Sequence, residues 1–276
     1  MSDRQTFAFF TKINRLFSVK RAHAVQRRKR SNLQCLAIVF GLVMPIIACN
    51  QSAQPWQSFG EITTETRLLD SFSQINASHS IQLFIKQDLN APESVTITYG
   101  KNVMQGIVSE INGGELLLED RNKAKWLRNL NILPICTLNV HQINKIRLEG
   151  NAKLTCLDTL KTPALQLNIN SVEEHNLLIK CGQLYGGIEN SGHLNASGIA
   201  TIFSWSCEKG SGLDARALLS DDVYMRHFTI RDVYVNPTKQ FEGYVYNTGN
   251  LYYFTQPTYK FKVVEEGSGK VKLYQP

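Results

Sequence analysis

Between Gly150 and Gly269 small turn residues return at a nearly fixed interval, and that recurrence leaves very few folds open to this chain. Gly150-Asn-Ala152, Ser171-Val172, Asn190-Ser-Gly192, Gly210-Ser-Gly212, Arg231-Asp232, Thr248-Gly249 and Gly267-Ser-Gly269 align on their last residues with steps of 20, 20, 20, 20, 17 and 20. Short runs of alternating apolar and polar residues accompany the turns, among them Ile81-Gln-Leu83, Val95-Thr-Ile97, Leu138-Asn-Val140, Ile146-Arg-Leu148, Leu165-Gln-Leu167-Asn-Ile169, Val233-Tyr-Val235, Phe261-Lys-Val263 and Val271-Lys-Leu273. Period two over so few residues means strands with one buried face. Only Asn122 to Asn129 reads as helical, and it is too short to build a layer.

These features predict an all-β chain folded as a single-domain β-solenoid (β-helix) of roughly seven coils with a period near 20 residues. Each coil of such a stack cannot bury its own face and relies on the next. Glycine is expected at the corners for its tolerance of positive φ, and the 17-residue step implies a shortened corner between the fifth and sixth coils. A β-sandwich with regularly spaced hairpins is the competing arrangement.

The N-terminal region has a different grammar. Arg27, Arg28, Lys29 and Arg30 precede the 13-residue apolar run Leu36 to Ala48, which ends in Ile46-Ile47-Ala48-Cys49. A basic segment, a short apolar core and a small residue before the cut form an export signal, and the run is too short to span a bilayer. The aliphatic residue three before Cys49 and the small residue beside it fit a bacterial lipoprotein leader, so Cys49 is the expected lipid anchor. Residues 1–48 then form the signal peptide, 49–62 a flexible polar tether and 63–276 the folded domain. The expected partner at that end is the membrane. Asn50, rather than Asp, after the anchor points to the outer membrane within the cell envelope.

Removing the leader changes the charge argument. The formal charge of +7 includes nine Lys/Arg against Asp3 in residues 1–48, a local +8, so the remainder carries about −1. A near-neutral body lacks the cationic surface that phosphate neutralisation needs, which excludes a nucleic-acid partner. Cys136, Cys156, Cys181 and Cys207 remain in an oxidising compartment, either as possible disulfides or as buried thiols. They form no C-x-x-C unit, and His141, His175, His193 and His227 are scattered singly, so neither a metal site nor a cofactor is expected.

Particular segments carry a family likeness: Phe72-Ser-Gln-Ile75 followed by Ile81-Gln-Leu-Phe-Ile85, Gly114-Glu-Leu116 before Trp126, Asn144-Lys-Ile146 leading to Glu149-Gly150, and Gly267-Ser-Gly-Lys-Val-Lys-Leu-Tyr274. From about Phe72 to Pro276 the chain resembles the head-GIN domain of the auto-transporter adhesins, a domain of unknown function. The resemblance implies a stack of parallel strands behind a lipoprotein or secretory signal, and by name an adhesive role. Val172 and Asp232 at turn positions, and extra residues around Glu173 to Asn176, depart from the pattern.

Parallel β-helices also include polysaccharide-degrading hydrolases and lyases, the competing reading. Inverting hydrolysis needs two carboxylates about 6.5–9.5 Å apart in a cleft. The available acids are Asp214, Asp221, Asp222 and Asp232, with Arg226 and Arg231 nearby as bases for a lyase. All read as solvated corner charges and surface ion pairs, and no nucleophile elbow, phosphate loop or dinucleotide fingerprint is present. The expectation is therefore a binding or structural module rather than an enzyme. Eight of the ten tyrosines fall in the last 56 residues, and Tyr244, Tyr246, Tyr252, Tyr253 and Phe254 are the expected binding face for a glycan or protein ligand. The alternative use of these aromatics is to seal the last coils.

Overall fold

A computed structural model describes residues 58–123 and 132–275, and apart from a 3-10 turn at Met104–Gly106 its regular elements are all strands. Cys49 lies outside these residues, as do Trp126 and most of the segment read as helical. From Lys145 onward the chain forms a solenoid. β8 (Lys145–Gly150) and β9 (Lys153–Cys156) lead into five long strands, β10 (Leu160–Ser171), β11 (Glu174–Ile188), β12 (His193–Lys209), β13 (Gly212–Thr229) and β14 (Val233–Val245). β15 (Leu251–Tyr253), β16 (Lys260–Glu265) and β17 (Val271–Leu273) complete the stack. Every pairing among these strands is parallel, which rules out the sandwich.

Two inward columns define the core. One is Ile146, Leu167, Gly186, Trp205, Met225, Gly243 and Val263. The other is Leu154, His175, Leu194, Leu213, Val233, Leu251 and Val271. Seven levels make six full turns, with steps of 21, 19, 19, 20, 18 and 20 along the first column. From the first column to the second the chain always takes 8 residues (146 to 154, 167 to 175, and so on to 263 to 271), whereas the return takes 10 to 13. All length variation is thus on the return side, where the register breaks between Asn195 and Ser197 and between Asp214 and Leu219. The shortened step lies there too, between Val233 and Gly243, which puts the short corner expected between the fifth and sixth coils on the return side.

The short side is invariant because its corners touch. A Cβ added to Gly192, Gly249 or Gly269 would sit 2.4, 2.1 or 2.0 Å from a carbonyl oxygen of the preceding coil. Close approach, not positive φ, demands glycine there. The left-handed conformation falls instead on Gly150, Asn190 and Lys209. The two corners without glycine share another device. Buried Ser171 donates its hydroxyl to the Ala152 carbonyl and accepts from the Glu173 amide; Thr229 does the same with Ser211 and Arg231. In both coils a hydroxyl satisfies the turn groups that would otherwise be buried without partners.

Residues before Lys145 interrupt the spiral and close the N-terminal end. β2 (Gln74–Ser78) and β3 (Gln82–Gln87) form one more parallel level under β8 and β9, and β6 (Glu115–Asp120) and β7 (Ile135–Val140) lie beneath them. Antiparallel strands finish that end: β4 (Ser94–Gly100) on β7, β1 (Ile62–Leu68) on β4, and β5 (Ile107–Asn112) on β6. The β5–β6 hairpin turns on Gly113 and Gly114, with φ of 59° and 79°, the conformation its two-residue loop requires. Arg67 ties β1 to the hairpin by donating to the Ile107 carbonyl (2.6 Å) and Ser109 Oγ (3.1 Å). Among the described residues no such cap covers the C-terminal end, where β16 and β17 pair on one edge only and Phe261 stays 44% exposed.

Candidate functional site

Outward columns on the side carrying the short-side strands build a groove of about 640 Å³. Its floor is the rung of Ser204 and Ser206, with Gly187 one level below Ser206. Because neither glycine nor serine fills the space its neighbours fill, the sheet is hollowed at that level. Tyr224 and Arg226 stand on the next level, in register with Ser204 and Ser206, and Phe228 follows two residues on. Glu242, Tyr244 and Tyr246 complete the wall.

The wall is ordered by its own contacts. Phe228 and Tyr246 stack with centroids 4.4 Å apart and planes 7° from parallel. Gln240 Nε2 donates to Tyr224 Oη (3.1 Å) and to Glu242 Oε1 (3.2 Å), and Tyr244 Oη donates to Glu242 Oε2 (3.2 Å). Lys262 Nζ donates to Tyr244 Oη at 2.9 Å and lies 5.3 Å from the ring centre. Lys260 is ion-paired with Glu242 and holds its carboxyl below the usual range. An open trough with pre-positioned aromatic faces and fixed hydrogen-bonding groups suits a flat, hydroxylated ligand.

The aromatics expected to share one face divide three ways. Tyr244 and Tyr246 line the groove. Tyr253 is only 8% exposed and packs in the core on Phe241 and Phe261, at 5.6 and 5.2 Å, so it leaves the binding face. Alternation along β15 dictates this, since its neighbours Tyr252 and Phe254 must then point out. Those two join Tyr234 and Tyr274 in a separate cluster, with the Arg216 guanidinium 5.0 Å above the Tyr234 ring. Phe228 and the small floor residues were missed from sequence, and Arg226 was weighed only beside the acids, because register alone brings them together.

The four cysteines are free thiols, so the disulfide option is not realised. Cys136 stacks on Leu83, Cys156 on Ile85, Cys181 between Thr162 and Ala200, and Cys207 between Ile188 and His227. No two occupy neighbouring levels of one column, the arrangement that would bring Cα atoms within bridging distance. Burial pushes the Cys136 thiol up to about 12, and Cys156 and Cys181 to about 11.

The acids weighed for hydrolysis do not form a pair in a cleft. Asp214 is held by Arg216, Asp221 accepts from Lys239 Nζ (2.9 Å) and Thr238 Oγ1 (3.0 Å), and Asp232 accepts from the Asn250 amide (2.8 Å). These contacts keep Asp214 and Asp221 below the ordinary carboxylate range, unlike the protonated acid that glycosidic cleavage requires. Arg226, expected in a surface ion pair, makes none among the described residues and instead faces the groove. No group of metal-ligating side chains is found among the described residues.

Several solved structures share the fold. A protein from Bacteroides fragilis described as a "putative adhesin" is 19% identical with a TM-score of 0.73, covering 78% of this chain and 97% of its own. A protein from Parabacteroides merdae, also described as an adhesin, gives 16% and 0.56, covering 78% and 98%. One from Parabacteroides distasonis, described as lipid binding, gives 14% and 0.59, with 78% and 98% covered. No curated protein sequence matches the chain. The family model "Putative auto-transporter adhesin, head GIN domain" matches residues 71–257, ending before the Gly267–Tyr274 segment that was among those carrying the likeness. With two thirds of its length inside that match, the chain belongs to the head-GIN domain family.

Proposed function

We propose that this protein is an envelope-anchored, adhesin-like binding module, tethered to the outer membrane through lipid on Cys49, whose groove at Ser204, Ser206 and Tyr244 receives a glycan. The observation that carries the reading is the hollow rung flanked by stacked and hydrogen-bonded tyrosines, because sugar rings pack on aromatic faces while their hydroxyls need fixed polar partners. The adhesin description of the family and of two of its structural relatives agrees with a non-catalytic role. The leader and Cys49 supply the anchor, and the chain ahead of β1 supplies the tether.

A glycan array probed with the purified full chain tests the groove. Tyr244→Ser with Tyr246→Ser abolishes retention, while Tyr252→Ser with Phe254→Ser on the other cluster leaves it intact. Retention that survives the first pair, or an array with no signal, refutes the glycan reading. For the anchor, Cys49→Ala moves the protein from the membrane to the soluble fraction; unchanged fractionation refutes lipidation there.

A further inference from the structure

Every charged side chain of the groove wall except one is committed to a partner. Glu242 is bound by Lys260, Gln240 and Tyr244, and Lys262 is engaged with Tyr244. Arg226 is exposed, has no hydrogen bond or ion pair among the described residues, and stands between Ser206 below and Tyr244 above. Tyr224 and Phe228 flank it along β13. Glu208 lies beneath Phe228 but outside the groove lining. Of the two charged residues that line the groove, Glu242 is neutralised by Lys260, which leaves Arg226 as the lining charge without a counter-ion; Lys262, Asp222 and Glu208 stand outside the lining.

We infer that the groove selects an anionic saccharide, with Arg226 forming a forked contact to a carboxylate or sulfate on a sugar whose ring packs against Tyr244. The guanidinium suits this task because its donors are coplanar and match a carboxylate or sulfate edge two at a time. A neutral sugar would leave this cation without a counter-charge, whereas an acidic one supplies it without disturbing the Glu242–Lys260 pair. The inference rests on the glycan reading of the groove and adds the charge of the ligand to it.

The test measures retention of the full chain on polygalacturonate, heparin, fully methyl-esterified polygalacturonate and oligothymidylate, for the parent, Arg226→Gln and Arg231→Gln. Expected is retention on polygalacturonate or heparin about tenfold tighter than on the ester, a loss of about tenfold in Arg226→Gln, and less than twofold change in Arg231→Gln. Preference for polygalacturonate identifies a carboxylate ligand, and preference for heparin a sulfate. Binding of the ester as tight as of the acid, or an unaffected Arg226→Gln, overturns the anionic inference and leaves the glycan reading standing. Oligothymidylate held as tightly as the acidic glycans means bare charge attraction and also overturns it. Failure to bind any polysaccharide removes the glycan reading itself. Matching melting curves for the two variants show that the fold is intact in the comparison.

Discussion

Replacing Gly186 by alanine tests the closeness of the coils directly. Gly186 lies between Leu167 and Trp205 in an inward column, at φ 145°, and an added Cβ would sit 1.9 Å from the Leu167 carbonyl oxygen. Contact distances for carbon and oxygen exceed 3 Å, so the two coils must part or the backbone must rotate out of a region closed to alanine. Strain of that kind costs about 1–3 kcal/mol, and overpacking a fitted interior about 1–3 kcal/mol more. The expected loss is about 3–5 kcal/mol, or roughly 10 °C in melting temperature for a domain of this size. Gly113→Ala is the control: its φ of 59° is also positive, but no atom lies within 4 Å, so only the backbone penalty of about 1–2 kcal/mol applies. Urea unfolding followed by circular dichroism measures both. If Gly186→Ala lies within 1 kcal/mol of Gly113→Ala, the coils are not packed as described and the inward columns are misplaced.

Two further outcomes follow from buried side chains. His175 is fully buried, with Nδ1 accepting from the Leu154 amide at 3.2 Å, and burial together with Lys153 and His193 lowers its pKa from 6.5 to about 4. The unfolded chain therefore binds the proton first, so stability is complete above pH 6.5 and falls by up to about 3 kcal/mol as the pH drops through 4. In His175→Gln this slope between pH 6.5 and 4 flattens in urea titrations; an unchanged slope assigns the effect elsewhere. Tyr253→Ser empties a core site against Phe241 and Phe261 and costs about 3–5 kcal/mol, whereas Tyr252→Ser, at a partly buried surface position, costs about 1 kcal/mol. Equal melting temperatures for the two variants would place Tyr253 outside the core.

The solenoid was legible because its signal is periodic. A turn every score of residues, joined to strands of period two, admits few packings other than stacked coils, and the roughly seven coils expected correspond to seven levels, six full turns, from Lys145 onward. The family likeness was visible for the same reason. Less legible was the meaning of each corner. Val172 and Asp232 looked like defects, yet the neighbouring hydroxyls of Ser171 and Thr229 satisfy the backbone groups of those turns, a different device from the close approach that demands glycine in other coils. The shortened step was placed between the right coils, but turn spacing measures the whole circuit and cannot say which half lost residues.

Sequence alone determined the period, the strand character and the near-neutral charge of residues 49–276, since each is a property of neighbours along the chain. Tertiary structure decided the rest. Ser206, Arg226 and Tyr244 are separated by 20 and 18 residues, and they meet only because parallel coils stack in that register. A slip of one position would turn all three inward, so the groove is a product of inter-coil pairing, with its floor, wall and free cation each supplied by a different turn of the chain.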